Sequence, residues 1–334
     1  MPDRAPVVIV TGASAGVGRA IALRFARAGA RVGLIARDEH TLSELARQLE
    51  SEGAEAAFAA VDVANAAAVF AAAEDLERKL GGLDIWINDA MLTVFSRVTD
   101  LTADEFRRVT EVTYLGCVHG TMAASKSMRR RRHGRIIQIG SALAYRGIPL
   151  QAAYCGAKHA IRGFTDSLRT ELLHDGSGIR ISMIELPAVN TPQFDWARAH
   201  IPHAPRPMGR PIQPEVVADA VFRVARRNGR EYWLGTSTLV TILGNAVWPG
   251  FLDRYLARKA IAGQQTALSI GPSRRDNLET PVTRLHRVRG SFSAEAGDRA
   301  ILVPEELARV GALAVIASFG MAVGLLIGSL RRGR

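Results

Sequence analysis

The chain has 334 residues, 48% hydrophobic and 22% charged, a composition that excludes disordered, collagen-like and disulfide-scaffold proteins and suits one α/β domain plus an appendage. Forty-three basic residues against 32 acidic ones give a net charge of +11, but the excess is spread along the chain, so no nucleic-acid partner is expected. The two cysteines, Cys117 and Cys155, form no CxxC or Cys/His cluster and the eight histidines show no ligand spacing, so a reducing compartment and no metal are expected.

In chain order, apolar β-branched runs at 7–10, 31–36, 57–63, 83–88, 135–140, 179–186 and 231–234 predict strands. Helical patterns fall between them at 19–28, 41–52, 66–80, 103–130, 152–173 and 215–227. The run of only four apolar residues from Val7, followed at once by glycines, reads as a strand and not as a secretory leader. Strands that are apolar nearly throughout and alternate with helices imply a parallel sheet of about seven strands covered on both faces. Such a doubly wound fold binds ligands at the carboxyl ends of its strands. The basic run Arg129 to Arg132 precedes a predicted strand and reads as a solvated helix end whose guanidiniums complement the last carbonyls. The Pro-rich stretch 201–214, which holds His203 and follows His200, is expected to form a substrate lid.

Regularity ends near Leu256, which sets a domain over 1–256. Residues 257–304 are rich in Gly, Ser, Pro, Arg and Asp and are expected to be a poorly ordered linker. The last segment, 305–334, contains twenty residues without a charge, 311–330, ahead of Arg331, Arg332 and Arg334. At 1.5 Å per residue that run spans about 30 Å, the thickness of a hydrocarbon core, so a membrane-anchoring transmembrane helix is expected. Gly320, Gly324 and Gly328 repeat every four residues and offer a smooth face for a second helix. The catalytic domain is expected on the cytoplasmic side of that anchor.

The first strand runs directly into Thr11-Gly12-Ala13-Ser14-Ala15-Gly16-Val17-Gly18. Gly12 allows a tight turn, Gly16 lets main chain approach a pyrophosphate, and Gly18 allows close contact of helix and strand, while free N–H groups at the helix start face the anion. Where an NAD-binding fold presents a carboxylate to the ribose hydroxyls, at the end of the second strand, this chain has Ala36 and then Arg37. A guanidinium can pair with a 2′-phosphate, which favours NADP over NAD, although Asp38 beside it could serve a ribose.

The fifth strand ends at Ser141, and Tyr154 and Lys158 follow on a predicted helix, one turn apart on one face. A phenol with an ordinary pKa near 10 is a poor proton carrier at neutral pH, and a nearby ammonium is expected to lower it. The Gly motif, Ser141 thirteen residues before Tyr154, Tyr154-x-x-x-Lys158, and the stretch from Pro187 to Thr191 together resemble the classical short-chain dehydrogenase/reductase family over about residues 5–235. The resemblance implies a Rossmann-like fold in which Tyr154 is the general acid/base, Lys158 also binds the nicotinamide ribose, and Ser141 holds the substrate oxygen. It further implies that Asp62 contacts the adenine, that Pro187 and Thr191 border the nicotinamide, and that Ser14, Val17, Val63, Asn88 and Ala90 join the cofactor site.

Two positions depart from the family pattern. Asn88-Asp89-Ala90-Met91 stands where the family usually has Asn-Asn-Ala-Gly, which puts bulk beside the cofactor. Thr113 stands where a catalytic Asn usually holds a relay water, so Thr113 is the expected substitute in the proton relay. The reading is an NADP-dependent oxidoreductase that moves hydride between nicotinamide and a small apolar carbonyl or secondary alcohol, as a homo-oligomer at a membrane. The alternative from a different class is a catalytically quiet nucleotide-binding or redox-sensing protein on the same fold.

Overall fold

A computed structural model of the chain describes residues 5–271 and 274–314. Five-residue strand β1 (Val7–Thr11) is buried at every position, as a central strand of a covered parallel sheet must be. Around it lie β2 (Arg31–Ala36), β3 (Ala56–Ala60), β4 (Ile85–Asn88), β5 (Gly134–Ile139), β6 (Ile179–Glu185) and β7 (Glu231–Leu234). All seven pair in parallel in the order β3-β2-β1-β4-β5-β6-β7.

Helices α1 (Gly16–Ala26) and α2 (Glu39–Ser51) cover one face, joined there by α7 (Pro214–Val224), which packs along α1. Helices α3 (Ala66–Leu80), α4 (Ala103–Thr110), α5 (Gly116–Arg131) and α6 (Ala152–His174) cover the other. The apolar residues of α2, Leu42, Leu45, Ala46 and Leu49, recur at the spacing of one helix face and are all buried. Its start is fixed by Asp38, whose carboxylate accepts the Thr41 N–H at 2.9 Å.

The helix expected over 103–130 is broken: Glu111–Leu115 form a π-helical turn between α4 and α5, a local feature that periodicity does not reveal because the apolar face continues through it. The basic run closes α5, where Arg129, Arg130 and Arg131 reach Asp175, Glu77 and Asp84 at 2.7–3.0 Å.

The largest correction concerns 257–304. Helices α8 (Thr236–Val247) and α9 (Pro249–Gly263) carry the regular structure past Leu256. Gln265–Ser269 then pair with His203–Pro205, and Leu302–Pro304 form β8, an antiparallel edge strand beside β7. Between them, residues 274–300 lie as a strap across the carboxyl ends of the sheet. Its anchors are main-chain bonds, Asn277 N–H to the Trp196 carbonyl at 3.0 Å and Gly290 N–H to the Asn190 carbonyl at 3.0 Å, plus the fully buried Leu278. Isolated anchors of this kind leave no periodic trace, which is why the composition reads as a linker.

Residues 305–314 are helical, and Leu307, Val310 and Leu313 on that stretch are exposed. Most of the expected membrane helix, from 315 onward, lies outside the described residues. Among the described residues no helix is long and apolar enough to cross a membrane.

Candidate active site

A groove of about 780 Å³ runs across the carboxyl ends of the parallel strands, where the topology reverses between β1 and β4. The loop after β1 supplies Gly12, Ser14, Gly16 and Val17, and the loop after β2 supplies Arg37 and Asp38. Beyond them lie Asp62, Val63, Ala90 and Met91, then Ser141, Tyr154 and Lys158, and finally Pro187 and Thr191. Gly12 has a φ of +72°, and a Cβ there would stand 2.9 Å from the Ala90 main chain, so only glycine permits this turn. Thr11 locks the same junction, its Oγ1 accepting the Asp89 and Ala90 N–H groups at 3.1 and 3.2 Å.

Ser141 leaves β5 and its Oγ accepts the Leu143 N–H at 3.1 Å. Helix α6 carries Tyr154 and Lys158 on consecutive turns, with the Lys158 Nζ 5.5 Å from the centre of the Tyr154 ring. That ammonium donates to the Ile139 carbonyl at 2.6 Å and is 3% exposed. Burial therefore pulls its pKa down, against the carboxylates of Asp89 and Glu185, which raise it. Asp89 is the mirror case: burial pushes its carboxyl up to about 7 although Lys158 and the Gly18 N–H oppose the rise. Desolvation outweighs the attraction in both partners.

The expected lowering of Tyr154 by Lys158 is not what this environment produces. Burial pushes the phenol above its ordinary value, with Cys155, Asp89 and Glu185 adding to the rise and the Ser141 hydroxyl opposing it. The ammonium faces the Ile139 carbonyl and not the phenol oxygen, so burial dominates.

Three expected site residues do not line the groove. Asn88 is buried below it, donating to Thr121 Oγ1 at 3.0 Å and Gln138 Oε1 at 2.8 Å and accepting from Trp86 Nε1 at 2.7 Å. Gly18 serves helix packing, since a Cβ there would overlap the Gly12 carbonyl. Thr113 sits on the π-helical turn, and its hydroxyl is bonded to both the N–H and the carbonyl of Leu92 at 3.0 Å. Its one proton is thereby spent, which leaves it unable to donate to a relay water.

Arg37 lines the groove, but its guanidinium grips the strap, donating to the carbonyls of Asn277, Leu278 and Glu279 at 2.5, 3.2 and 3.0 Å. Asp62 pairs with Arg108 and accepts the Ala64 N–H at 3.0 Å. The strap itself supplies Asn277, Pro281, Val282 and His286 to the wall of the groove, none of which sequence reasoning found, because a lone His in an Arg-rich stretch carries no spacing. It also missed Glu185, fully buried, whose oxygens make no well-aligned hydrogen bond and have only the Ser141 main chain as a weak partner. Burial and the neighbouring Glu231 raise its pKa. A carboxylate following Met183 and Ile184 near the carboxyl end of the strand predicted over 179–186 was the available signal.

The chain matches the short chain dehydrogenase family over residues 6–201. It is 31% identical over 254 residues to the "Uncharacterized oxidoreductase YxnA" of Bacillus subtilis (strain 168), covering 75% of this chain and 71% of that one. It is 34% identical over 192 residues to "Dehydrogenase/reductase SDR family member 7B" of Mus musculus, covering 56% of this chain and 59% of that one. Among solved structures, an alcohol dehydrogenase from the archaeon Thermococcus sibiricus complexed with 5-hydroxy-NADP superposes with a TM-score of 0.61 at 27% identity, covering 69% of this chain and 96% of that one. An NAD+-bound xylitol dehydrogenase gives a TM-score of 0.53 at 28% identity, covering 57% of this chain and 72% of that one.

Proposed function

Because the chain belongs to the short-chain dehydrogenase/reductase family and is an NAD(P)-dependent hydride-transferring oxidoreductase, we propose that it uses NADP and acts on an apolar carbonyl or secondary alcohol. The observation that carries this reading is the single groove that joins the Gly-rich turn to Ser141, Tyr154 and Lys158. The residues present fit a dinucleotide: a Cβ at Gly16 would stand in the groove 3.2 Å from the Thr191 side chain, so glycine keeps that space open, and the first turn of α1 lines the groove. When bound, the nicotinamide supplies or takes the hydride.

In this reading the Ser141 hydroxyl holds the substrate oxygen against the Tyr154 phenol. Tyr154 passes a proton to that oxygen in reduction and takes it back in oxidation. Lys158 holds the nicotinamide ribose, its ammonium 5.5 Å from the centre of the Tyr154 ring. Leu143, Ile148, Phe194, Met208 and Leu256 on the substrate side of the groove support an apolar substrate, and the lid stretch contributes Pro207 to Arg210.

Arg37 at the β2 exit supports NADP, as does the 5-hydroxy-NADP complex of the archaeal neighbour. The exposed Phe106, Leu115 and Met122 on α4, the π-helical turn and α5 support a homo-oligomer. The charge-free run 311–330 supports a membrane tether with the catalytic domain on the cytoplasmic side; release of a chain ending near residue 300 into the soluble fraction checks it. Tyr154→Phe tests the chemistry. It removes only the proton-carrying oxygen, so turnover is lost while NADPH binding stays nearly intact. Near wild-type turnover in that variant on any good substrate overturns the assignment.

A further inference from the structure

His286 reaches the cofactor groove from the strap, well beyond the residues 6–201 that match the family. Its side chain is only 9% exposed, and neither ring nitrogen makes a well-aligned hydrogen bond, the main chain of Ser14 and Val282 being its weak partners. Leaving a buried polar group so poorly satisfied is costly, and such groups inside a cleft mark the place where a ligand completes them.

The ring is held firmly although it sits in a strap. It packs on Trp196 with ring centres 5.4 Å apart. On one side Arg37 grips the carbonyls of 277–279. On the other, the Gly16 N–H donates to the Arg287 carbonyl at 3.0 Å and Arg19 donates to the carbonyl of His286 itself at 3.1 Å. These anchors set the imidazole beside Ser14 and Asp38, at the exit of β2. In a doubly wound dinucleotide fold that corner receives the 2′ position of the adenosine ribose.

Asp38 shapes what the corner accepts. Its carboxylate lies 3.6 Å from His286 Nε2, too far for a hydrogen bond, and on its own it would repel a phosphate. An imidazole beside it that presents an N–H offsets that repulsion. Burial lowers the His286 pKa while the Asp38 carboxylate and weak bonds to the main chain of Ser14 and Val282 oppose the lowering; even the neutral ring keeps one N–H, which a phosphate oxygen can take in place of a weakly held carbonyl.

We propose that His286 is a cofactor-binding residue that donates a hydrogen bond to the 2′-phosphate of NADP, so that the strap forms part of the site that distinguishes NADP from NAD. The proposal rests on the NADP reading above. It assigns His286 no part in proton or hydride transfer.

Direct titration of NADPH and NADH against the full chain, followed by calorimetry, tests it in wild type, His286→Phe and His286→Gln. Phenylalanine keeps the ring packed on Trp196 and removes the donor, whereas glutamine keeps a donor. A hydrogen bond to a charged group corresponds to a loss on the order of tenfold or more. The expected result is that loss of NADPH affinity in His286→Phe, little change for NADH, and substantial retention in His286→Gln. A wild-type preference for NADPH that His286→Phe leaves intact, or equal losses for both cofactors, overturns the role of His286 alone. Tighter binding of NADH than NADPH by wild type overturns the NADP reading and this inference together.

Discussion

Thr113 and Leu92 are joined by a pair of hydrogen bonds: the threonine Oγ1 donates to the leucine carbonyl and accepts the leucine N–H, both at 3.0 Å. The clamp ties the π-helical turn to the chain leaving β4, next to the groove residues Ala90 and Met91. A side chain in the usual position of a relay Asn thus works as a fastener between two walls of the site.

Replacing Thr113 by Val keeps the shape and strands the Leu92 N–H and carbonyl, both in buried surroundings. The expected cost is about 2 kcal/mol of stability, read by denaturant unfolding. Thr113→Ser keeps the hydroxyl and should recover most of it. If Thr113→Val is as stable as wild type but lowers kcat alone, the hydroxyl serves chemistry and not fastening.

Asp89 predicts a pH dependence. The unfolded chain loses this proton near the ordinary value of 3.8, while the folded chain holds it up to about 7. Below about pH 4 both states carry the proton. Between about 4 and 7 only the folded state does, so stability falls as pH rises through that window and then levels off. Asp89→Asn removes the titration and restores the amide the family usually has there. It should stabilise the protein by about 4 kcal/mol at pH 8 and by less than half of that at pH 5. Thermal melts of both chains across this range check it, and an unaltered pH profile would show that Asp89 is ionised in the fold.

Arg37 predicts the behaviour of the strap. Arg37→Met keeps the aliphatic stem and removes the donors to the carbonyls of Asn277, Leu278 and Glu279. Limited trypsin digestion should then cut at Arg284, Arg287 or Arg289 several-fold faster than in wild type, because local opening of a segment governs its cleavage. Bound NADPH should slow the wild-type cut. Equal digestion of the two chains would mean that Leu278 and the Asn190 contacts hold the strap without Arg37.

The alternation of apolar runs with helical patterns was enough to specify the doubly wound sheet, because a strand covered on both faces must be apolar at nearly every position, and β1, VVIVT, is. The Gly-rich turn and the Tyr154/Lys158 pair were legible for a related reason: each is a local pattern of spacing, fixed by a turn that only glycine permits or by one turn of helix. What depends on residues far apart was not. Asn88 reads as a cofactor residue from its motif, yet the bonds to Trp86, Gln138 and Thr121 that keep it in the core form only once β4, β5 and α5 pack together. Whether the Tyr154 phenol rises or falls is decided by how deeply it is buried and where the Lys158 ammonium points, neither of which i, i+4 spacing contains. The strap is the clearest case. Besides its main-chain bonds, its carbonyls are met by guanidiniums from the loop after β2, from α1 and from α4, 240 to 267 residues away in the case of Arg37 to Asn277 and Arg19 to His286, so its place over the groove is a property of the folded surface and not of its own composition.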